Sequence, residues 1–274
     1  MKRFPHKRML ITGGGSGLGR ALALEFASRG WKIGIAEINP ERAQSSSEKV
    51  VQAGGHGLAI TCDVTKIDDL QAAADQIQDR WGGVDVVINN AGVAAAGYME
   101  KIALDKWEWI LATNLKSVIY GCRVFIPVLK QQGRGHIVNV ASCAGIASLP
   151  EMSCYNVTKA GVISLSETLK VELATFNIGV TLLAPTFFQT NLMDQFYSPD
   201  PRQRHMANRF FEKSRCSAAD VACHTYRAVK RNKFYVLPQA DAKLLWIIKR
   251  LSPEFYFKCL AWGYKRGLAD KLLN

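Results

Sequence analysis

The sequence lacks the cysteine patterns that indicate disulfide-stapled or zinc-binding proteins. Its 7 cysteines are scattered along 274 residues, odd in number, and form no Cys-x-x-Cys pair. Such a set predicts neither a disulfide framework nor a zinc site, so no metal is expected. A reducing, cytoplasmic compartment fits this cysteine usage best.

Long uncharged apolar runs are missing as well. Met1-Lys2-Arg3 carries the charge of a signal peptide's first residues, but only a short apolar run follows before Gly13. In residues 241–266 no uncharged run approaches the roughly 20 residues that a membrane-spanning helix needs. We therefore interpret the first run as a strand and exclude a spanning helix from residues 241–266.

The overall composition is that of an ordinary globular protein. Hydrophobic residues make up 48% and charged residues 21%, which argues against disorder, and the length favours one large domain. Residues 200–274 hold 16 Lys and Arg against 6 Asp and Glu, so they carry +10 of the total charge of +12. This asymmetry indicates an anionic surface or ligand for the C-terminal part, although a merely basic soluble protein is an equally good interpretation. We expect no nucleic-acid partner.

A glycine-rich loop lies between a predicted strand and a predicted helix near the N-terminus. Residues 8–12 predict a buried strand, the loop follows directly, and residues 20–29 have helical spacing. Glycines let the backbone approach a pyrophosphate, and a helix N-terminus offers free N–H groups. A turn without a ligand is the alternative, since the spacing of Gly13, Gly17 and Gly19 differs from the common G-x-G-x-x-G fingerprint.

Acidic residues end the next two predicted strands. Glu37 ends the strand that begins at Lys32, eighteen residues after Gly19. A carboxylate there accepts hydrogen bonds from ribose hydroxyls and repels a 2′-phosphate, which favours NAD over NADP. Asp63-Val64 ends the following strand, where the carboxylate is placed to meet the adenine edge.

Strands and helices alternate along the chain about every thirty residues. This pattern predicts an α/β fold with a parallel, doubly wound sheet. Asn89-Asn90-Ala91-Gly92 directly follows one of the strands. A later predicted helix, residues 107–129, carries Asn114 in an apolar stretch, so this amide either braces backbone or belongs to a site.

The residue types needed for proton transfer lie between residues 142 and 159. Tyr155 and Lys159 are four residues apart, so in a helix they share one face and the ammonium lies near the phenol. Each unit by which a cation lowers the phenol's pKa, ordinarily about 10, favours phenolate by roughly 1.4 kcal/mol. Ser142 ends an apolar run thirteen residues before Tyr155, and a strand, loop and helix there would bring both hydroxyls to one substrate oxygen.

Together these motifs resemble the short-chain dehydrogenase/reductase family. The motifs are Thr12-Gly13-x-x-x-Gly17-x-Gly19, Asn89-Asn90-Ala91-Gly92, Asn114, Ser142 and Tyr155-x-x-x-Lys159, and the match covers about residues 7–237. The resemblance implies a three-layer Rossmann-type sheet of about seven parallel strands. It implies one domain for cofactor and substrate, residues 1–240, and beyond it residues 241–274 are expected to form a helical extension.

The resemblance also implies roles for single residues. Tyr155 is expected to be the acid/base, and Lys159 to lower its pKa and bind the nicotinamide ribose. Ser142 is expected to hold the substrate oxygen, and Asn114 to support a proton-relay water. The implied cofactor-binding residues are Gly13, Ser16, Gly17, Leu18, Gly19, Glu37, Asp63, Val64, Asn90, Ala91, Gly92, Tyr155, Lys159, Pro185 and Thr190.

The segment after the sixth predicted strand departs from the family pattern. Pro185-Thr186 stands where the family commonly has Pro-Gly, so the backbone beside the nicotinamide is expected to be less free, while Thr190 fits the usual Thr that contacts the carboxamide. Residues 186–215 are expected to form a lid over the pocket. Aromatic residues in this lid predict a hydrophobic substrate; they are Phe187, Phe188, Phe196, Phe210 and Phe211.

The leading hypothesis is an NAD-dependent oxidoreductase that interconverts a hydrophobic secondary alcohol and its ketone. The alternative is a non-catalytic nucleotide-binding regulator that uses the basic tail, against which the intact Ser142, Tyr155 and Lys159 speak. The helices bearing Asn114 and Tyr155 resemble those through which family members pair. A homodimer or homotetramer is therefore expected.

Residues 241–266 predict two helices beyond the last strand, with Ser252 as the N-cap of the second. They carry 12 large apolar side chains interleaved with Lys and Arg. Burial of one such side chain is worth roughly 1.5–3 kcal/mol, so something is expected to cover them. Peripheral contact with the inner face of an anionic membrane and packing on the body or a second subunit are the two interpretations, with a slight preference for the membrane.

Overall fold

The computed structural model describes residues 3–188, 191–214 and 216–268, and these contain a seven-stranded sheet. All pairings are parallel and the order is β3-β2-β1-β4-β5-β6-β7. The strands are β1 Arg8–Thr12, β2 Lys32–Glu37, β3 His56–Thr61, β4 Val86–Asn89, β5 Gly135–Val140, β6 Ile178–Leu183 and β7 Tyr235–Val236. The parallel sheet and the strand number confirm the expected fold class.

Helices cover both faces of the sheet. They are α1 Gly17–Ala27, α2 Pro40–Gln52, α3 Ile67–Trp81, α4 Leu104–Leu111, α5 Ser117–Gln132, α6 Ala144–Ala147, α7 Ser153–Glu172, α8 Pro201–Lys213, α9 Ala218–Lys230, α10 Ala240–Leu251 and α11 Pro253–Lys265. One core cluster joins the sheet to α1, α2 and α9. A second joins its other face to α3, α5, α7 and α10, which gives three layers.

Burial on both faces explains why the central strands are continuously apolar. Every residue of β1, β5 and β6 is buried, whereas the edge strand β3 is largely half-exposed. Parallel sheets covered by helices on both sides have this pattern. The strand order reverses between β1 and β4, so the ends of these two strands flank the crevice in which such folds bind ligands.

The long helix expected over residues 107–129 is divided. α4 ends at Leu111, a π-helical turn follows over Ala112–Lys116, and α5 continues from Ser117. Single π turns inside α-helices are frequent at functional sites. Asn114 lies in this turn and is completely buried.

The tail forms the two expected helices, α10 and α11, which meet at Ser252. Ser252 is the N-cap residue of α11 and Pro253 begins the helix, as expected, although the Ser252 side chain makes no capping hydrogen bond. Within the described ranges, none of the helices combines the length and the apolar character that crossing a membrane requires. The same part of the chain contains no cluster of His, Cys, Asp and Glu suited to a metal ion.

Candidate active site

The loop after β1 has the close backbone approach that a dinucleotide needs. Gly13 adopts a φ of 62°, and a Cβ on Gly19 would lie 2.1 Å from the carbonyl oxygen of Gly13, so a side chain cannot be accommodated there. α1 begins at Gly17, and Ser16 provides no side-chain cap. The first N–H groups of α1 therefore remain available to an anion, with Leu18 buried beneath them.

Glu37 lies at the carboxyl end of β2, directly over the glycine loop. Its Oε2 accepts a hydrogen bond from the N–H of Gly15 at 3.1 Å, and its Oε1 accepts one from Asn39 at 3.3 Å. An ionised carboxylate has about four lone-pair positions, so capacity remains for ribose hydroxyls. Sequence reasoning missed Arg20, whose guanidinium donates to the carbonyl of Gly15 and, at 2.9 Å, to Ser46 Oγ.

Asp63 and Val64 follow β3 at the same edge of the sheet. Asp63 Oδ1 accepts hydrogen bonds from the N–H and the hydroxyl of Thr65, at 3.0 and 2.7 Å. Burial raises the pKa of Asp63 in part, but these hydrogen bonds and the charge of Lys66 lower it overall. The carboxylate is thus held ionised in a turn, with Oδ2 directed to the exposed Lys66 at 3.8 Å.

The Asn89-Asn90-Ala91-Gly92 segment ties the end of β4 to the glycine loop. Thr12 Oγ1 accepts the N–H groups of Asn90 and Ala91 at 3.0 and 3.1 Å. The Asn90 amide donates to the carbonyls of Thr12 and Gly13 at 2.9 and 3.2 Å. Thr12 was quoted in the motif, but its function as the hydroxyl that joins the two loops was not predicted.

Asn114 braces backbone, one of the two roles considered for it. Its Oδ1 accepts the N–H of Val93 at 2.8 Å, and its Nδ2 donates to the carbonyl of Val93 at 2.9 Å and to Thr158 Oγ1 at 3.3 Å. A Cβ on Gly92 would lie 3.2 Å from Asn114 Oδ1 and 3.5 Å from Lys159 Nζ. The amide therefore fixes the segment after β4 against α7, beside the lysine.

Ser142 and Tyr155 are brought together as the spacing predicts. Ser142 lies two residues after β5, where its Oγ accepts the N–H of Ala144 at 3.1 Å, and Tyr155 occupies the first turn of α7. Burial raises the pKa of Tyr155 to about 12, and its hydrogen bond with Ser142 opposes that rise. The expected lowering of the Tyr155 pKa is not found, because removal of the phenol from water is the largest effect on it.

Lys159 lies one helical turn after Tyr155 and is buried with it. Its Nζ is 5.7 Å from the centre of the Tyr155 ring and donates to the carbonyl of Val140 at 3.1 Å. Burial lowers the pKa of Lys159 to about 8. An ammonium has three donors, so among the residues that the structure describes the bond to Val140 leaves two donors for groups that enter the cleft.

After β6, both residues of the unusual Pro185-Thr186 pair make a backbone hydrogen bond to another part of the chain. The carbonyl of Pro185 accepts the N–H of Cys143 at 2.8 Å, which places it beside Ser142. The N–H of Thr186 donates to Gln239 Oε1 at 3.2 Å, so the segment is tied to the start of α10. Thr190 lies outside the described residues.

Tyr155 belongs to an apolar cluster that sequence reasoning did not identify. The cluster is formed by the segment after β4, by α4, by the start of α7 and by Phe196. Its buried members are Val93, Ala94, Ala95, Ala96, Ile102, Ile110, Ala144, Cys154, Tyr155 and Phe196. The Tyr155 side chain therefore packs among apolar residues.

The five lid phenylalanines fall into two groups. Phe188 and Phe196 are buried, and Phe196 contacts the cluster around Tyr155. Phe187 stacks on Phe210 with ring centres 4.9 Å apart and meets Phe211 edge-on at 5.3 Å. Phe196 lies in the cluster of Tyr155, whereas Phe188 packs in the core cluster that joins the sheet to α1, α2 and α9, so the inference of a hydrophobic substrate depends mainly on Phe196.

Glu151 joins three elements around the cleft and was not predicted. It lies in the segment between Ser142 and Tyr155. Its Oε2 accepts hydrogen bonds from Arg202, at 2.6 Å, and from Gln203, both on α8, and its Oε1 accepts one from Tyr264 on α11 at 2.8 Å. No spacing rule links Glu151 to these partners, because α8 and α11 lie 50 or more residues further along the chain.

Comparison with known proteins places the chain in a family. Residues 7–200 match the family model described as short chain dehydrogenase. The chain belongs to the short-chain dehydrogenase/reductase family. Members are oxidoreductases with a Rossmann-like fold, and the sheet described above is that fold.

Individual members of the short-chain dehydrogenase/reductase family are similar over most of the chain. The CLA biosynthesis dehydrogenase/reductase of Lactiplantibacillus plantarum is 31% identical over 259 residues, covering 88% of this chain and 91% of the relative. The 3beta-hydroxysteroid dehydrogenase of Mediterraneibacter gnavus is 34% identical over 196 residues, 71% of each chain. A crystal structure of a family member from Burkholderia phymatum in complex with NAD has a TM-score of 0.88 and 31% identity, covering 93% of this chain and 96% of that one.

Proposed function

We propose that this protein interconverts a hydrophobic secondary alcohol and its ketone with NAD as the preferred cofactor. The observation that carries the proposal is the meeting of the half-buried Ser142 with the buried Tyr155 and Lys159 at the carboxyl edge of the sheet, with an apolar cluster around the phenol. Apolar walls with a few convergent polar groups are the usual composition of small-molecule sites.

The residues present fit a dinucleotide, which supports NAD. The glycine loop and the N-terminus of α1 would hold the pyrophosphate, Glu37 the adenine ribose, and Lys159 the nicotinamide ribose. Asp63 and Val64 would border the adenine, and Asn90, Ala91, Gly92, Pro185 and Thr190 would border the nicotinamide half. NAD bound there would supply or accept the hydride. A carboxylate at Glu37 disfavours a 2′-phosphate by repulsion between like charges.

The proton is handled by the chain's own side chains. Tyr155 Oη would take the proton of the alcohol during oxidation and return it to the ketone oxygen during reduction. Ser142 Oγ would donate to the same substrate oxygen and hold it next to the phenol. Lys159 would hold the nicotinamide ribose beside the phenol, while burial keeps the pKa of Tyr155 at about 12.

The chain is proposed to act as a homodimer or homotetramer in the cytoplasm. Large apolar side chains are exposed on the helices expected to pair; they are Ile119 on α5 and Val157 and Val171 on α7. Residues 1–240 would form the catalytic domain and residues 241–274 the extension. A stable monomer of about the chain's mass of 30.3 kDa in sedimentation at micromolar concentration would contradict pairing.

A series of secondary alcohols of increasing apolar size tests the substrate class, with NADH absorbance as the readout. Each buried methylene is worth about 0.8 kcal/mol, so kcat/KM should rise about fourfold per methylene until the cleft is filled. Tyr155→Phe is the control for reactions that bypass the site. Turnover restricted to charged or sugar-like alcohols would contradict the proposal.

A further inference from the structure

The tail helices have two faces with different surroundings. The inner face packs on the body: Ala242 is fully buried, and Leu245 and Trp246 contact the core beneath α10. On α11 the hydroxyl of Tyr256 donates to the carbonyl of Ala147 at 2.8 Å. Packing on the body, one of the two expected arrangements, therefore accounts for the inner face of the tail but not for its outer face.

Each of the two helices also has exposed apolar side chains. On α10, Leu244, Ile247 and Leu251 are 60%, 46% and 80% exposed, at helical spacings of three and four. On α11, Phe255 and Trp262 are 59% and 53% exposed, seven residues apart on one face. We call these five side chains the outer stripe. An apolar patch of this extent on a soluble protein marks an interaction surface.

Basic side chains flank the outer stripe. Residues 240–268 contain six Lys and Arg against two acidic residues, Asp241 and Glu254. Lys243, Arg250, Lys258, Lys265 and Arg266 are exposed among these basic residues. The Arg266 guanidinium lies 4.4 Å from the centre of the Trp262 ring, so apolar and cationic groups share one surface.

Two partners could cover the outer stripe, a second copy of the chain or an anionic membrane, and the basic charge beside the stripe favours the membrane. If two copies paired through the stripe about a twofold axis, each would oppose the same basic patch, and like charges facing each other are costly. An anionic bilayer offers an apolar layer for the stripe and a negative surface for its flanks. Trp side chains also favour the membrane–water interface.

We propose that the outer stripe of α10 and α11 docks on the surface of an anionic membrane. The two helices lie in the interface plane and do not cross it, as short amphipathic helices with basic flanks do. Their inner face packs on the segment between Ser142 and Tyr155, through Ala147 and Glu151. The docked lipid surface then lies about 10 Å, one helix diameter, from the wall of the cleft.

Co-sedimentation of the full-length protein with vesicles tests the docking. Vesicles of equal parts phosphatidylglycerol and phosphatidylcholine are compared with pure phosphatidylcholine, at salt from about 0.01 M to about 1 M. Wild type should bind the anionic vesicles at low salt, bind the neutral ones at least tenfold more weakly, and be released as salt rises. Protein that stays in the supernatant with anionic vesicles at low salt overturns the proposal.

Charge reversal within the tail separates local docking from general attraction of a basic protein. Lys258→Glu/Lys265→Glu changes two exposed basic residues beside the stripe. Lys49→Glu/Lys230→Glu makes the same change in net charge on α2 and α9, in the opposite helix layer. The tail variant should lower the partition coefficient at least about tenfold, since each basic residue near lipid is worth about 1 kcal/mol. Equal losses in both variants overturn the proposal.

Removal of the apolar stripe completes the test. Leu251→Ser/Phe255→Ser/Trp262→Ser replaces exposed side chains, so the fold should survive, which circular dichroism checks. The variant should lose vesicle binding, whereas Val51→Ser, 58% exposed on α2 before substitution, should keep it. Unchanged vesicle binding contradicts docking through the stripe. A change in oligomeric state seen by sedimentation velocity would instead assign the stripe to a second copy.

Discussion

Both ends of the sheet bury charged side chains, but the hydrogen-bond donors and acceptors of these side chains are fully paired only at the amino end. At the amino end, Arg8 and Asp85 form an ion pair in which both side chains are almost inaccessible. All five guanidinium donors of Arg8 have acceptors: two on the carboxylate of Asp85, the carbonyls of Trp81 and Gly82, and Gln132 Oε1. The N–H of Arg8 also donates to Asp85, at 2.9 Å.

At the carboxyl end the buried polar groups keep unused capacity. Lys159 has one hydrogen-bond acceptor, Val140, among the residues that the structure describes. Each carboxyl oxygen of Glu37 accepts one hydrogen bond, and the phenol of Tyr155 has Ser142 as its partner. Burial of a charge is costly at either end, so the unused donors and acceptors mark where a ligand is expected.

Tyr155→Phe is the largest expected effect and acts on activity alone. Loss of the proton-transferring oxygen should lower kcat by about 100-fold to 10,000-fold, because general acid/base catalysis contributes that much. NAD affinity and the melting temperature should stay near wild type, since the phenol has few partners to lose. Steady-state kinetics, calorimetric NAD titration and thermal melts measure the three quantities.

Tyr226→Phe is the matched control for that substitution. Tyr226 lies on α9 in the opposite layer, where its ring contacts Phe26 and Arg29. Its loss of a hydroxyl should leave kcat unchanged. A Tyr155→Phe enzyme that retains more than about a tenth of the wild-type rate would show that another group carries the proton.

Asp85→Ala should act in the opposite way, on stability alone. It leaves the buried Arg8 without its counter-charge, which costs about 3–5 kcal/mol of unfolding free energy. The kcat of the molecules that remain folded should be unchanged, because the pair lies at the far end of the sheet from Tyr155. Urea unfolding and kinetics at low temperature measure the two effects.

The double variant Arg8→Met/Asp85→Leu distinguishes an unpaired charge from a simple loss of packing. Apolar replacement of a whole buried pair is often neutral or stabilising, so most of the lost stability should return. If the double variant were as unstable as Asp85→Ala, the cost would come from the cavity and not from the charge.

The carboxyl end was predictable from the sequence because its signals are local. The glycine loop lies within one strand–helix turn, and Tyr155 and Lys159 lie within one turn of α7. Spacing along the chain therefore reports their placement in space. The ends of parallel strands meet at one edge, which is why residues after β2 and β4 also fall at the site.

The features that were missed depend on long-range contacts. Arg8 and Asp85 are 77 residues apart, and the π-helical turn at Asn114 is held by hydrogen bonds to Val93, 21 residues away. The pKa of Tyr155 was expected to fall beside Lys159, yet burial raises it. Burial depends on the whole fold, so no pair of residues in the sequence could indicate it.

Glu37→Ser tests whether the unused hydrogen-bond capacity of Glu37 at the carboxyl end of the sheet sets the preference for NAD over NADP. Loss of the carboxylate removes hydrogen bonds to ribose and the repulsion of a 2′-phosphate, while Arg20 remains beside the loop as a cation. The preference for NAD over NADP in kcat/KM should fall about tenfold or more, since a hydrogen bond to a charged group is worth about 1.5–3 kcal/mol.

The control for Glu37 is a carboxylate on the adjacent helix. Glu48 on α2 is exposed and accepts a hydrogen bond from Gln44 at 2.9 Å, so Glu48→Gln should leave the NAD preference unchanged. A wild-type enzyme that already uses NADP as efficiently as NAD would make the carboxylate argument wrong.

Glu151→Gln is expected to have the smallest effect. Glu151 belongs neither to the buried Arg8–Asp85 ion pair nor to the catalytic residues around Tyr155. The substitution keeps the shape but weakens charge-assisted hydrogen bonds from α8 and α11, at a cost of about 1 kcal/mol. Glu108→Gln is the control. Glu108 pairs with Lys116 at 3.6 Å but its side chain is 72% exposed, so its loss should change little.

The pH dependence of the unfolding free energy tests whether the charge of Glu151 causes the loss of stability in Glu151→Gln. Burial raises its pKa in part, but hydrogen bonds from its three partners outweigh burial, so the pKa is lower than in the unfolded chain. Its ionised form therefore stabilises the fold above about pH 4.3, and this contribution is lost as the pH falls through the lowered pKa. The difference in unfolding free energy between wild type and Glu151→Gln should thus be constant near neutrality and shrink in acid. A difference that stays the same down to the acid transition would mean that the carboxylate's shape, and not its charge, joins α8 and α11 to the segment before α7.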